Sequence, residues 1–256
     1  MSTRVAVVTG ANRGIGRAIA VALAGSGFTV AACGRDPADL AATLAEAEQA
    51  GGKAAALTCD VSDEASVAAM AAGAAALGPV HTVVANAGIA GPTLPLHEIS
   101  LAGWRATTAT DLDGVFLTFR AFIPGLIERG AGSLIAISSI TGKRPLPGRT
   151  PYAAAKMGVI GLVRTLATEL GPHGIRVNAV CPGFVAGPRM EEVISKQAAA
   201  RAVPEAEVRA GLTAASPLGR LVQAREVAAA CAYLASDAAA AVTGEDLNVA
   251  AGAVMY

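Results

Sequence analysis

Aromatic side chains are scarce in this chain: five Phe, three Tyr and one Trp among 256 residues. A core drawn largely from small aliphatic residues suits closely packed helices and glycine-dependent turns. The single Trp, Trp104, falls near the start of a helical stretch and reads as packing or interface, not as a stacking platform. No excess of either charge exists, with 20 Lys plus Arg against 20 Asp plus Glu. No global field therefore favours nucleic acid or an anionic membrane, and a partner must be recognised locally. Cysteine is sparse too. Cys33, Cys59, Cys181 and Cys231 lie far apart and make no CxxC or Cys/His ligand spacing. Free, buried thiols in a reducing compartment are expected. His81, His97 and His173 are equally scattered, so no metal site is expected.

Charge is also missing from Ala65 to His97, a length that could span a membrane. Gly73, Gly78-Pro79, Asn86 and Gly88 break that stretch repeatedly, so it reads as helix, turn, strand and loop. A strand-like run from Val5 leaves no room for a signal peptide. Without a repeat, low-complexity linker or charge block, the expectation is one cytoplasmic domain over residues 1–256.

What is present is alternation. Short apolar runs at Val5–Thr9, Thr29–Cys33, Lys53–Cys59, Thr82–Ala85, Ser133–Ser138, Arg176–Cys181 and Glu245–Val249 read as strands. Between them lie segments of helical period: Ile15–Ala24, Ala38–Ala50, Glu64–Leu77, Leu101–Glu128, Pro151–Leu170 and Arg225–Ser236. This is the pattern of βαβ units: an α/β fold with a doubly wound parallel sheet of about seven strands and helices on both faces. Gly187–Arg220 stands apart as two short helix-like stretches interrupted by Pro204 and Gly211. A connection this long is usually functional, and a substrate lid at about 187–220 is expected.

The first strand runs into Thr9-Gly10-Ala11-Asn12-Arg13-Gly14-Ile15-Gly16, and a helix follows. Glycines let the backbone turn sharply and approach a pyrophosphate, which the helix N-terminus favours. The tip of the second strand then selects the cofactor. It reads Gly34-Arg35, with no acid to accept hydrogen bonds from ribose hydroxyls. Arg35 and Arg13 suit a 2′-phosphate, so NADP(H) is expected over NAD(H). Asp36 either caps the next helix or neutralises Arg35.

Tyr152 and Lys156 stand four apart at the start of an Ala-rich helix and share one face. A free phenol titrates near 10, roughly, and is a poor base at neutrality. A neighbouring ammonium favours its ionised form and lets it exchange a proton. Ser139, closing the fifth strand, can offer a hydroxyl to the same carbonyl oxygen.

Taken together these motifs resemble the single-domain short-chain dehydrogenase/reductases over nearly the whole chain, and feel nearest to 3-oxoacyl and polyketide-type ketoreductases. The glycine motif matches Thr9–Gly16, Asn86-Ala87-Gly88 follows strand four, Ser139 precedes Tyr152 by the family's thirteen residues, and Pro182-Gly183 follows strand six. The resemblance implies a Rossmann-type domain in which Tyr152 is the general acid/base and Ser139 polarises the carbonyl. Lys156 would bind the nicotinamide ribose. Asp60 and Val61 would contact adenine, Asn86 and Gly88 would shape the loop beside the nicotinamide, and Val185 would lie near the carboxamide. It also implies a homotetramer, or failing that a dimer, paired through the helix around Leu101–Glu128 and the Tyr152 helix. Three departures stand out. Asp111 replaces the family's catalytic Asn, putting a negative charge near Lys156, although the family uses the main-chain carbonyl there to hold a water. Gly187 replaces a Thr that contacts the carboxamide, and Ala250 replaces an Asp near the C-terminus. Arg129 and His173 fall where some acyl-carrier-dependent members carry docking bases.

The substrate is not spelled out. An NADPH-dependent reductase of a ketone or 3-oxoacyl group leads. A dehydrogenase of a polyol, sugar or other secondary alcohol uses the same residues. A non-catalytic dinucleotide-binding protein is disfavoured because both Tyr152 and Lys156 are kept.

Overall fold

A computed structural model describes residues 4–256. Among them, seven strands pair in parallel into one sheet in the order β3-β2-β1-β4-β5-β6-β7. They are β1 Val5–Thr9, β2 Thr29–Gly34, β3 Lys53–Thr58, β4 Val80–Ala85, β5 Gly132–Ile137, β6 Ile175–Pro182 and β7 Asp246–Val249. The helices are α1 Gly14–Gly25, α2 Ala41–Gln49, α3 Glu64–Ala76, α4 Leu101–Thr108, α5 Gly114–Arg129, α6 Thr150–Leu170, α7 Pro188–Arg201, α8 Glu205–Ala214 and α9 Ala224–Ala235. The expected doubly wound sheet is present, with strand ends moved by one or two residues.

The inner strands are apolar at successive positions because both faces are covered. Val5 and Val7 join Phe119, Phe122 and Val159 on one side, under α5 and α6. Ala6 and Val8 join Ile19, Leu23 and Leu234 on the other, under α1 and α9. Strand β1 is flanked by β2 and β4, so the winding direction reverses there. Carboxyl ends of strands part at such a switch point and leave a crevice for ligands.

Two expectations need correction. The stretch predicted as one helix over Leu101–Glu128 is split by a π-helical turn at Ala109–Asp113, which carries the fully buried Asp111. Such turns are rare and collect at functional sites. In the 187–220 segment, Pro204 does stand just before α8, but Gly211 lies within that helix. One interior glycine costs only about 1 kcal/mol. Packing of α7 on α8 through Ile194, Ala198 and Val208, a small core separate from the main two, opposes that cost.

All four cysteines are free and buried. Burial pushes Cys59 up to about 11 and Cys231 up to about 12, so neither is a thiolate at neutral pH. Among the described residues no helix is long and apolar enough to cross a membrane.

Candidate active site

Residues 10–16 turn from β1 into α1 with positive φ at Gly10 (63°) and Gly14 (55°). The loop's carbonyls are tied back by side chains. Asn86 Nδ2 donates to Thr9 O at 2.9 Å and Gly10 O at 3.2 Å. Thr43 Oγ1 donates to Ala11 O at 2.8 Å, and Arg17 Nη2 to Asn12 O at 2.7 Å. A Cβ on Gly16 would stand 2.1 Å from Gly10 O, so only glycine lets helix and loop approach this closely. The start of α1 has no acid in its first turn and no side-chain cap from Arg13. Its first N–H groups therefore have no partner within the helix, and nothing beyond its chain neighbours and the helix's own backbone lies within 4 Å of where a Cβ on Gly14 would be. An open, uncapped helix start at the switch point fits a dinucleotide's pyrophosphate.

Arg35 directly follows β2, and both it and Arg13 are exposed, with no ion pair among the described residues. Asp36 caps the short 3₁₀ turn Pro37–Leu40 by accepting from Ala38 N at 2.9 Å, so the capping role is the one it fills. Asp60 Oδ1 accepts from Ser62 N at 2.9 Å and Ser62 Oγ at 2.6 Å. These bonds, with Arg35 nearby, hold its carboxyl below the usual range. The Val61 side chain is buried, and a Cβ on Gly114 would stand 2.8 Å from it.

The chemical groups gather where β5 ends against α6. Ser138 Oγ donates to Lys156 O at 2.8 Å, and Lys156 Nζ donates to Ile137 O at 3.0 Å. Ser139 comes two residues after the strand and caps the 3₁₀ turn Ile140–Gly142, its Oγ accepting from Thr141 N at 3.1 Å. A Cβ on Gly142 would stand 2.8 Å from the Lys156 backbone, so this turn is pressed onto α6. Lys156 is only 3% exposed, and its Nζ lies 5.7 Å from the Tyr152 ring centroid.

Asp111 faces the same ammonium. Its Oδ2 stands 3.7 Å from Lys156 Nζ and has no hydrogen-bond partner, while Oδ1 accepts from Ile89 N at 2.7 Å. A Cβ on Gly88 would lie 3.4 Å from both carboxylate oxygens. The residue thus pins the loop after β4 and aims a carboxylate at Lys156. Burial pushes that carboxyl above its ordinary range, against the pull of Lys156 and the Ile89 N–H. An Asn here could still accept from Ile89 but would bring no negative charge. Asp111→Asn is therefore expected to move the basic-side onset of alcohol oxidation to lower pH, since a lost anion favours an ionised phenol. A pH–rate profile unchanged by the substitution would contradict this.

After β6, Gly183 N donates to Val249 O at 3.0 Å, and a Cβ on Gly183 would stand 2.8 Å from Ala250 Cα. Ala250 is buried with Ile140 and Val254, so the residue replacing the family's Asp packs locally. Half-buried Val185 makes an isolated bridge with Val222. Pro188, which opens α7, follows Gly187. Arg129 stays exposed while one end of its guanidinium donates to Val80 O.

Sequence reasoning missed several of these parts. Thr43 reaches Ala11 O from 32 residues away, and nothing local marks it, whereas Arg17 holds Asn12 O from only five residues on. Arg149 was also missed: its guanidinium lies 5.0 Å from the Tyr152 ring centroid and donates to Ala90 O at 2.5 Å. Its one signal was a cation three residues before the tyrosine.

Comparison with known proteins places this arrangement. The family model described as Enoyl-(Acyl carrier protein) reductase matches residues 10–254. The chain is 42% identical over 255 residues to a Streptomyces violaceoruber protein named as a ketoacyl reductase of the granaticin polyketide synthase, covering 98% of this chain and 93% of the relative. It is 43% identical over 251 residues to the cis-4-hydroxycyclohexanecarboxylate dehydrogenase of Sinomonas cyclohexanicum, covering 97% and 96%. A Phe-to-Trp variant of the actinorhodin polyketide ketoreductase, solved with NADPH, superposes with a TM-score of 0.95 at 38% identity, covering 99% and 98%.

Proposed function

The chain belongs to the short-chain dehydrogenase/reductase family, and from that premise we propose that it reduces a ketone or 3-oxoacyl group with NADPH. The observation that carries this reading is the buried Lys156, held by Ile137 O and Asp111 beside the Tyr152 ring at the mouth of the crevice. NADPH, when bound, supplies the hydride. Residues 10, 12–16, 35, 60, 61, 86, 88, 182, 183 and 185 would hold it, together with Tyr152 and Lys156. The Tyr152 hydroxyl then gives its proton to the carbonyl oxygen, Ser139 Oγ holds that oxygen, and the Lys156 charge makes the proton loss favourable. Asp111 positions Lys156 and the loop through Ile89. α7 and α8 cover the substrate as a lid. A panel of ketones and 3-oxoacyl thioesters with NADPH tests the activity: oxidation of NADPH that depends on one of them supports it, and no consumption with any of them counts against it.

A second reading, oxidation of a secondary alcohol with NADP⁺, draws on the 43% identity to a relative named as such a dehydrogenase. The same groups would serve in reverse.

The protein is expected to assemble as a homotetramer working in the cytoplasm. Phe116 on α5 and Met157 on α6 stand 45% and 54% exposed, apolar surface that a second copy would cover. Light scattering at micromolar concentration should give the tetramer mass. A monomer there would contradict the assembly.

A further inference from the structure

The mouth of the crevice holds a cation that the reduction itself does not use. Arg149 stands just before α6, with its guanidinium 5.0 Å from the Tyr152 ring centroid. One nitrogen, Nη2, donates to Ala90 O, while Nε is buried with no acceptor. No ion pair is made by Arg149 among the described residues. The acid that bears on it, Asp111, is already directed at Lys156 and Ile89 N. Burial disfavours its charge, yet a guanidinium keeps its proton in proteins. Arg189, in the first turn of α7, adds a second positive charge felt at both Arg149 and Asp111. Lys143, six residues earlier in the chain, shows the contrast: its Nζ lies 2.7 Å from Asp246 Oδ1.

A half-buried guanidinium without a counter-ion is costly to fold around, and such groups persist where a ligand completes them. The surroundings indicate the rest of that ligand. Arg149 N donates to Leu146 O at 3.2 Å and Leu94 N to Gly148 O at 3.0 Å, and Ile89 precedes the Ala90 carbonyl that Arg149 holds; all three apolar side chains, Ile89, Leu94 and Leu146, stay partly exposed. An apolar rim around an unpaired cation suits a hydrocarbon body with an anionic end.

We propose that Arg149 binds a carboxylate of the substrate, so that the substrate is an oxo acid whose anion lies a few bonds from the reacting carbonyl. The guanidinium's contact with the Tyr152 ring sets that short separation. Planar, charge-assisted donors match a carboxylate well. A neutral ester of the same skeleton loses that match. This rests on the reading of Tyr152 as the group that serves the carbonyl.

The test compares acetoacetate and levulinate, each with its methyl ester, by calorimetric titration of the NADPH-loaded protein. Tyr152→Phe keeps the ring under Arg149 and slows turnover by at least about a hundredfold during the measurement. At least one acid should bind about tenfold or more tighter than its ester, from charge-assisted hydrogen bonds. R149M should collapse that ratio towards one, and R149K should retain part of it. Because each ratio compares two ligands on one protein, a general loosening of the loop does not mimic the result. Equal or undetectable binding of acid and ester in both pairs would overturn the proposal, as would a ratio that survives R149M. The unaltered protein separates the two layers of the argument. An acid that binds through Arg149 but does not consume NADPH sinks the reductase reading alone.

Discussion

Replacing Tyr152 with Phe is expected to cut turnover by at least about a hundredfold, the lower end of what general acid/base catalysis contributes. NADPH binding should remain within a few-fold. Only one oxygen is removed. The ring that Arg149 covers at 5.0 Å and Lys156 approaches at 5.7 Å stays in place. Lys156 keeps its bond to Ile137 O at 3.0 Å, and the turn at Ile140–Gly142 keeps its seat on α6. Fold and crevice should therefore survive while the proton donor is lost. Steady-state rates, with a fluorescence titration of NADPH, read the two effects separately. A variant that loses cofactor binding and turnover in proportion would assign Tyr152 a binding role instead.

The second large effect is expected at Arg35→Asp. Arg35 is exposed at the tip of β2, and Arg13 is exposed at the start of α1. Each charge-assisted hydrogen bond to a phosphate contributes roughly 1.5–3 kcal/mol. Removing one cation and adding an anion should weaken NADPH by about tenfold to a hundredfold or more. NADH, which lacks the 2′-phosphate, should change much less. Dissociation constants for both cofactors, measured on both proteins, check this. Equal or tighter NADH binding by the unaltered protein would contradict the cofactor assignment.

The parts that could be read from the chain alone are those written in local pattern. Apolar runs such as Val5–Thr9, set between segments of helical period, led to the seven parallel strands found. The glycine turn was legible because positive φ and close approach demand glycine, as at Gly10 and Gly16. Tyr152 and Lys156 were legible because helical spacing alone brings them to one face. The π-helical turn at Ala109–Asp113 left no such mark. One additional residue per turn hardly alters a pattern of apolar positions over so short a stretch. Asp111 stood out as an acid near Lys156, but its contact with Ile89 N is between residues 22 apart. Arg149 looked like any cation before a helix. Its meaning comes from the loop after β4, whose Ala90 carbonyl it holds from 59 residues away.

The central claim is that NADPH reduces a carbonyl at the Tyr152 site. It is tested most directly by a single turnover with NADPH deuterated at its hydride-bearing carbon, using a ketone or oxo acid that the unaltered protein binds. The alcohol formed should carry deuterium on the carbinol carbon, and Tyr152→Phe should form it at least about a hundredfold more slowly. Product without the label, or labelled product formed as fast by Tyr152→Phe, would contradict the account.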